Sequence, residues 1–376
     1  MALRTRLADA ALRTLAAGEK TLDRLRYRGD LPDEVQVLPY AGYRSADRLF
    51  LSGRVIEGRR SVTRGDGTLS KLRTMLDVYE SDEVPGVRVQ VTYDGHAREL
   101  TTDDEGYFTL EMKGLGKALP RETRWEEAKV RVIGTKTDRE AYEVPVLAPG
   151  TAADLGLISD IDDTIIETGA TNFLKNWRRV LAERPKDRLA VPGAPALYRM
   201  LAIHEGAPVN PVFYVSSSPW NLYGFLARFM ELNDIPRGPM FLKDYGITEN
   251  SLLGKGHVEH KIEAIEHLLS VYPDMRFLLI GDDGQKDPAV FAQVVADVPG
   301  RVAGVFVRDV HGDGREGANG HYLREIEAAG VPVYLGETME GAKDAAAELG
   351  VIREAAEAET EGEAEEAAAK RRDLPA

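Results

Sequence analysis

The stretch "LGLISDIDDTIIETG" (155–169) decides the reading of this chain. An apolar run ends in three carboxylates within four positions, Asp160, Asp162 and Asp163, followed by Thr164. Like charges this close repel by roughly 1 kcal/mol per pair in bulk water, and several times more in a partly dry cleft. A buried strand that ends in such a cluster needs a compensating positive charge.

The pattern that follows places this strand in a sheet. From residue 154 short apolar runs alternate with helical segments: "LGLISD", "APALYRMLAIHEG", "PVFYVSSS", "WNLYGFLARFMEL", "PMFLKD", "HKIEAIEHLLSVYP", "RFLLIGDD", "PAVFAQVVADV", "RVAGVFVRD" and "VPVYLGE". Apolar runs separated by helices predict an α/β fold, a parallel sheet covered on both faces. In such sheets ligands bind outside the carboxyl ends of the strands. The residues that follow the runs are Asp160 and Asp162, then Ser216 to Ser218, then Asp282 and Asp283, with Lys261 expected to open the helix ahead of "RFLLIGDD".

Clustered carboxylates are tolerable around a hard divalent cation, and Mg²⁺ takes oxygen ligands from a few carboxylates, waters and phosphate. With such a cation present, Asp160 can attack phosphorus, and Asp162 can protonate the leaving oxygen and then activate water. A hydroxyl and a lysine suit the phosphoryl oxygens.

Upstream, residues 45–150 alternate apolar and polar positions, as in "RLFLSGRVIEG", "GVRVQVTYDG", "ARELTTDDEGYFTLEM" and "KVRVIGTK", with turns such as "YDGH" between them. This is the signal of a small antiparallel β-sandwich. Residues 1–30 read as an amphipathic helix in which seven basic residues outnumber four acidic ones. It either packs on its own protein or lies on an anionic membrane surface. Residues beyond about 340 are rich in Ala and Glu and read as a solvated helix or disordered tail. The expected domains are 1–40, helix and linker; 41–150, sandwich; 151–340, catalytic; and 341–376, acidic tail.

Composition narrows the classes. A net charge of −14 argues against a general nucleic-acid binder. No cysteine is present, which excludes disulfides and cysteine nucleophiles and fits a cytoplasmic protein. No run reaches the roughly 18 apolar residues of a spanning helix, so membrane association is expected to be peripheral.

The motifs resemble those of a known superfamily. "DIDDT" matches the D-x-D-x-T signature of the haloacid-dehalogenase-like phosphatases, and "FYVSSSPWNLY", "HKIEAIEHLL" and "LLIGDDGQKDP" are similar to its second, third and fourth motifs, in order. With "FLKDYGI" they resemble the actin-patch-associated phosphatidate phosphatase family over about residues 40–340, and "PGVRVQVTYDGHARELTTDDEGYFTL" resembles a transthyretin-like sandwich. The resemblance implies a Rossmann-like sheet of the haloacid-dehalogenase type. It also implies Asp160 as nucleophile, Asp162 as general acid and base, and Ser216 and Lys261 on the phosphoryl group. Mg²⁺ would be held by Asp160, the backbone carbonyl of Asp162, Asp282 and Asp287. The register among Ser216, Ser217 and Ser218 stays open. Asp283 stands where the family pattern has a small hydroxyl residue. Asp287, ahead of Pro288, also suits a helix N-cap.

The expected partner is a phosphorylated substrate, with phosphatidate at a membrane surface foremost by resemblance. The same chemistry on a phosphoprotein, nucleic-acid end or soluble metabolite is an alternative, as is a silent membrane- or protein-binding module. Trp220, Asn221 and Tyr223 are candidates for substrate contact or a buried helix start. "RDVHGDGREGANGHY" (308–322), with His311 and His321 near its ends, reads as an active-site loop or a connector.

Overall fold

The computed structural model describes residue 32 and residues 34–58, 83–135, 141–167, 190–204, 207–243 and 256–349. The amphipathic segment 1–30, the tail beyond 349 and most of "FLKDYGI" lie outside these residues. The described residues divide into two compact units. One comprises the chain up to Lys117 together with Glu126–Val146; the other takes Ala118–Trp125 and resumes at Leu147.

In the first unit the period-two pattern becomes strands with one buried face. The strands are β1 (Val35–Pro39), β2 (Gly42–Arg44), β3 (Arg48–Glu57), β4 (Arg88–Tyr93), β5 (His96–Thr101), β6 (Tyr107–Lys113), β7 (Arg124–Ile133) and β8 (Ala141–Ala148). They form a sheet in the order β1-β3-β2-β8-β7-β4-β5, with β6 paired to β3. The β1–β3, β3–β6, β4–β5 and β4–β7 pairs are antiparallel. Asp94 and Gly95, both at positive φ, make the two-residue turn between β4 and β5, in keeping with a hairpin whose twist such turns match. Val37, Leu51, Val91, Phe108, Val130 and Val144, from six strands, share one core.

The second unit holds a parallel sheet. Its elements are β9 (Leu155–Ser159), α1 (Ala194–Ala202), β10 (Ile203–His204), β11 (Ala207–Pro208), β12 (Val212–Pro219), α2 (Tyr223–Leu232), β13 (Met240–Lys243), α3 (His257–Val271), β14 (Arg276–Asp282), α4 (Asp287–Asp297), β15 (Val302–Arg308), α5 (Gly320–Ala328), β16 (Val333–Gly336) and α6 (Ala342–Glu348). Six strands pair in the order β13-β12-β9-β14-β15-β16, every neighbour parallel, while β10 and β11 form a separate small hairpin. All five residues of β9 are buried, as a central parallel strand requires. The chain winds outward from β9 through β12 and β13, then crosses to β14 and continues to β16. The reversal beside β9 is the place where sheets of this kind bind ligands. Register sets Ser159 beside Tyr214 and Ile280, and Asp282 beside Arg308, so the polar strand ends meet at one edge.

Candidate active site

The turn that follows β9 fixes where its carboxylates stand. The Asp160 N–H donates to the Ile280 carbonyl at 2.9 Å, extending the ladder by one step. The Ser159 hydroxyl donates to the Asp160 carbonyl at 2.6 Å and also meets the Tyr198 hydroxyl. Ser159 has one proton to give, so Tyr198 is the donor in that second contact. The backbone of Asp160 is therefore held on both sides. Beyond it, the N–H groups of Ile165 and Ile166 both donate to the Ile161 carbonyl, and Asp163 takes φ 59°. That left-handed conformation is uncommon for a residue with a Cβ, and Asp is among the residues that tolerate it best.

The carboxylates then part company. Asp160 points to Lys261, whose Nζ lies 3.1 Å from its Oδ1 and also contacts Asp287 Oδ1. Apart from its contacts with Lys261 and the neighbouring carboxyl of Asp282, the Asp160 carboxylate has no hydrogen-bond partner among the described residues. Asp162 instead turns to β12: Ser216 Oγ and Ser218 Oγ both donate to its Oδ2, at 2.7 and 2.8 Å. The Ser218 N–H donates to Ser216 Oγ at 2.8 Å, which orients that hydroxyl toward Asp162.

Asp287 is the first residue of α4, with Lys286 at the cap position and no side-chain cap bond, so the N-cap expectation for Asp287 is corrected. Its carboxylate is committed elsewhere: Oδ1 to Lys261, and Oδ2 accepting from the Asp282 N–H at 3.3 Å. Gly281 makes this possible, because a Cβ there would stand 2.8 Å from Asp287 Cβ and 2.9 Å from the Phe291 ring. Lys261 lies one turn inside α3 rather than at its start, since the helix begins at His257.

Potential ligand atoms of Asp160, Asp282 and Asp287 all fall within 4.8 Å of one another, and all three residues are buried. Three carboxylates against one ammonium leave an excess of two negative charges in a place shielded from water. The titration behaviour reflects that excess. Burial, then the neighbouring acids, push Asp160 well above the usual carboxylate range despite Lys261. Burial and Asp287 push Asp282 up to about 7. Burial raises Asp162 too, while Ser216 and Ser218 pull it back. Burial alone would lower Lys261, but Asp160 and Asp287 raise it beyond its ordinary value, so it stays charged. Oxygen-only donors with excess negative charge fit a hard divalent cation. The Asp162 side chain is not part of that group.

Asp160, Asp162, Ser216, Lys261, Asp282 and Asp287 thus gather at the strand ends, joined by Ser218, which shares Asp162 with Ser216. Sequence reasoning left Ser218 as one of three; the alternation of a strand, which sets residues 216 and 218 on one side, was the available signal. Asp283 holds backbone rather than joining this group. Its Oδ1 accepts the Val310 N–H at 2.7 Å and its carbonyl accepts from Asn319 at 2.8 Å. The 308–322 segment is pinned further by Asp309, which accepts N–H bonds from Gly312 and Gly314. Among the described residues, neither His311 nor His321 joins a group of three potential metal ligands. Trp220 and Asn221 form a 3-10 turn directly after β12, with Trp220 stacked on Tyr223.

Residues 155–309, from the first residue of β9 to just past β15, match the family model described as phosphatidate phosphatase APP1, catalytic domain. The chain resembles that catalytic domain family. Phosphatidate phosphatase APP1 of Saccharomyces cerevisiae is 32% identical over 242 residues, which are 63% of this chain and 40% of that protein. An uncharacterized protein of Schizosaccharomyces pombe is 26% identical over 220 residues, 57% of this chain and 35% of that one. The chain therefore spans no more than 40% of the length of these two relatives. Among solved structures, a carbohydrate acetylesterase from Xanthomonas citri aligns with a TM-score of 0.30 and 13% identity, over 82% of this chain and 68% of that one. A likeness that faint bears no weight. Among the described residues no helix is long and apolar enough to cross a membrane.

Proposed function

We propose that the second unit is a Mg²⁺-dependent phosphomonoesterase that works through an aspartyl-phosphate on Asp160, with phosphatidate as the leading substrate. The observation that carries the reading is that two carboxyls two residues apart have opposite company. Asp160 sits beside an ammonium and two further acids, whereas Asp162 sits between two hydroxyls. Neighbouring acids with divergent surroundings are the arrangement that separates a nucleophile from a general acid.

In the proposed reaction an Asp160 carboxylate oxygen forms a bond to phosphorus while the ester oxygen departs with a proton from Asp162. Both serine hydroxyls donate to Asp162 Oδ2, so the transferable proton resides on Oδ1. In the second half, Asp162 takes a proton from water, the water oxygen attacks phosphorus, and inorganic phosphate leaves with Asp160 restored. Lys261 steadies the phosphoryl oxygens as charge moves onto the bridging atoms. Asp160, Asp282 and Asp287 would hold the cation, which when bound offsets the negative charge of phosphate and carboxylates.

In fold terms, the reading takes the parallel sheet as Rossmann-like, of the haloacid-dehalogenase type, over a catalytic segment of about 151–340. It takes the first unit as a transthyretin-like sandwich. Phosphatidate is favoured by the relative from Saccharomyces cerevisiae, itself a phosphatidate phosphatase by name. The test is phosphate release with Mg²⁺ from phosphatidate vesicles and from a panel of soluble phosphomonoesters, for wild type and Asp160→Asn. Release from vesicles that the variant loses is expected. Brisk release from a soluble ester alone removes the lipid, and a variant that keeps more than about a hundredth of the rate removes Asp160 as nucleophile.

A further inference from the structure

Arg308, at the end of β15, reaches the backbone of the carboxylate turn. Its backbone is fixed by the sheet, paired with Asp282 on one side and Gly336 on the other, and its carbonyl accepts the Asp283 N–H at 3.0 Å. From that anchor the guanidinium divides among three acceptors. Nη1 donates to the Asp163 carbonyl at 2.7 Å, Nη2 to Glu167 Oε1 at 3.0 Å, and Nε to the Glu337 carbonyl at 3.1 Å. The side chain is mostly buried, with 13% exposure.

The first of these bonds falls at the one described position between Asp160 and Glu167 that has positive φ. The turn bonds its N–H groups within itself: Ile165 and Ile166 to the Ile161 carbonyl, and Asp163 to the Ile166 carbonyl. The Asp163 carbonyl is directed outward to Arg308 instead. A left-handed residue with a side chain persists only where its surroundings over-determine it. Arg308 is a long-range tie placed at that residue, 145 positions away in the chain. A planar guanidinium spreads its donors over three nitrogens in fixed directions, whereas the three donors of an ammonium turn about one nitrogen.

We infer that Arg308 is a positioning residue: by holding the Asp163 carbonyl it sets the turn that aims Asp160 and Asp162 at different partners. The inference rests on the phosphatase reading for its consequence in turnover, but the hold on the turn is independent of it. The experiment compares wild type with Arg308→Lys, Arg308→Gln and Glu167→Gln, by steady-state kinetics on whichever phosphomonoester the wild type hydrolyses and by backbone amide exchange. Both Arg308 variants should lose about tenfold or more in kcat, as small misplacements of reacting groups do. KM should stay within about threefold, because no substrate contact is removed. Exchange at residues 163–166 should quicken by about tenfold while the amides of α3 keep their rates. Glu167→Gln should stay within about twofold of wild-type kcat, since the Asp163 bond remains.

A wild-type kcat in Arg308→Lys would mean that charge alone suffices and would overturn the proposal. So would a raised KM at unchanged kcat, which marks a substrate contact, or unchanged exchange in the turn. A loss in Glu167→Gln equal to that of Arg308→Gln would overturn it too, by moving the effect to the Glu167 bond. If the wild type hydrolyses nothing, the phosphatase reading fails, and the exchange comparison alone still decides whether Arg308 holds the turn.

Discussion

Replacing Lys261 with Met tests the electrostatics of the site most directly. Lys261 is 4% exposed and is the ammonium that faces both Asp160 and Asp287. Methionine nearly preserves length and apolar stem, so the change removes charge with little change of volume. Breaking a buried ion pair from one side costs about 3–5 kcal/mol. Proton uptake sets a ceiling: neutralising one ordinary carboxyl of pKa about 3.9 at pH 7.5 costs about 5 kcal/mol, at about 1.4 kcal/mol per pH unit. Asp282, already raised to about 7, needs little further rise to be protonated at pH 7.5 once Lys261 is gone, which removes part of that cost.

The expected loss in the metal-free variant is therefore about 3–4 kcal/mol at pH 7.5, and it shrinks toward about 1 kcal/mol near pH 5. The sign follows from linkage. Lys261 lowers Asp160 and Asp282, so without it both rise further; the native variant then binds more protons than the native wild type, and the difference between the two shrinks as pH falls. Urea unfolding of both proteins at pH 5, 6 and 7.5, in chelator, measures this difference. Mg²⁺ at a hundred times its dissociation constant should then return about 2.7 kcal/mol to the variant. Turnover should stay lost, since in the proposed reaction the cation does not replace the ammonium on the phosphoryl oxygens. A loss below about 1 kcal/mol that is flat with pH would refute the view that Lys261 neutralises this cluster.

Two further outcomes follow from the geometry. Gly281→Ala should cost about 1–3 kcal/mol in urea unfolding and weaken Mg²⁺ binding, because the new methyl displaces Asp287 or Phe291; an unchanged stability would mean that the strand has room to give. In a Mg²⁺ titration, Asp282→Ala should weaken binding and activity together, whereas Asp283→Ser should chiefly lower the stability of the 309–319 segment that Asp283 ties down; the reverse ranking would shift the metal assignment by one residue.

Much of the parallel sheet was legible because its signals are local. A strand buried on both faces must be a near-continuous apolar run, and "LGLIS", "VFYV" and "FLLI" read as such without knowledge of their neighbours. The carboxyl-end rule then turned the polar residues that follow these runs into site candidates. What stayed hidden depends on distant partners. Strand alternation pairs Ser218 with Ser216, but the carboxylate they share, Asp162, lies 56 residues from Ser218 and shows only in the fold. Asp287 reads as a cap from its place before Pro288, and only the approach of Lys261 and the open space at Gly281 show why its carboxylate turns inward. Arg308 carries no motif at all; its meaning lies in a carbonyl that a linear reading cannot point.

The crowding of charge in "DIDDT" is eased by direction before any cation is considered. Asp160 and Asp162 emerge toward different neighbours, one on α3 and one on β12, just ahead of the positive φ at Asp163. Each then meets groups that the other does not, an ammonium in one case and two hydroxyls in the other. A regular strand would have left both carboxylates on one face, in the same surroundings. In the proposed reaction a cation beside Asp160 would offset the burial and the neighbouring acids that raise it, so that Asp160 attacks ionised while Asp162, away from that cation, carries the proton.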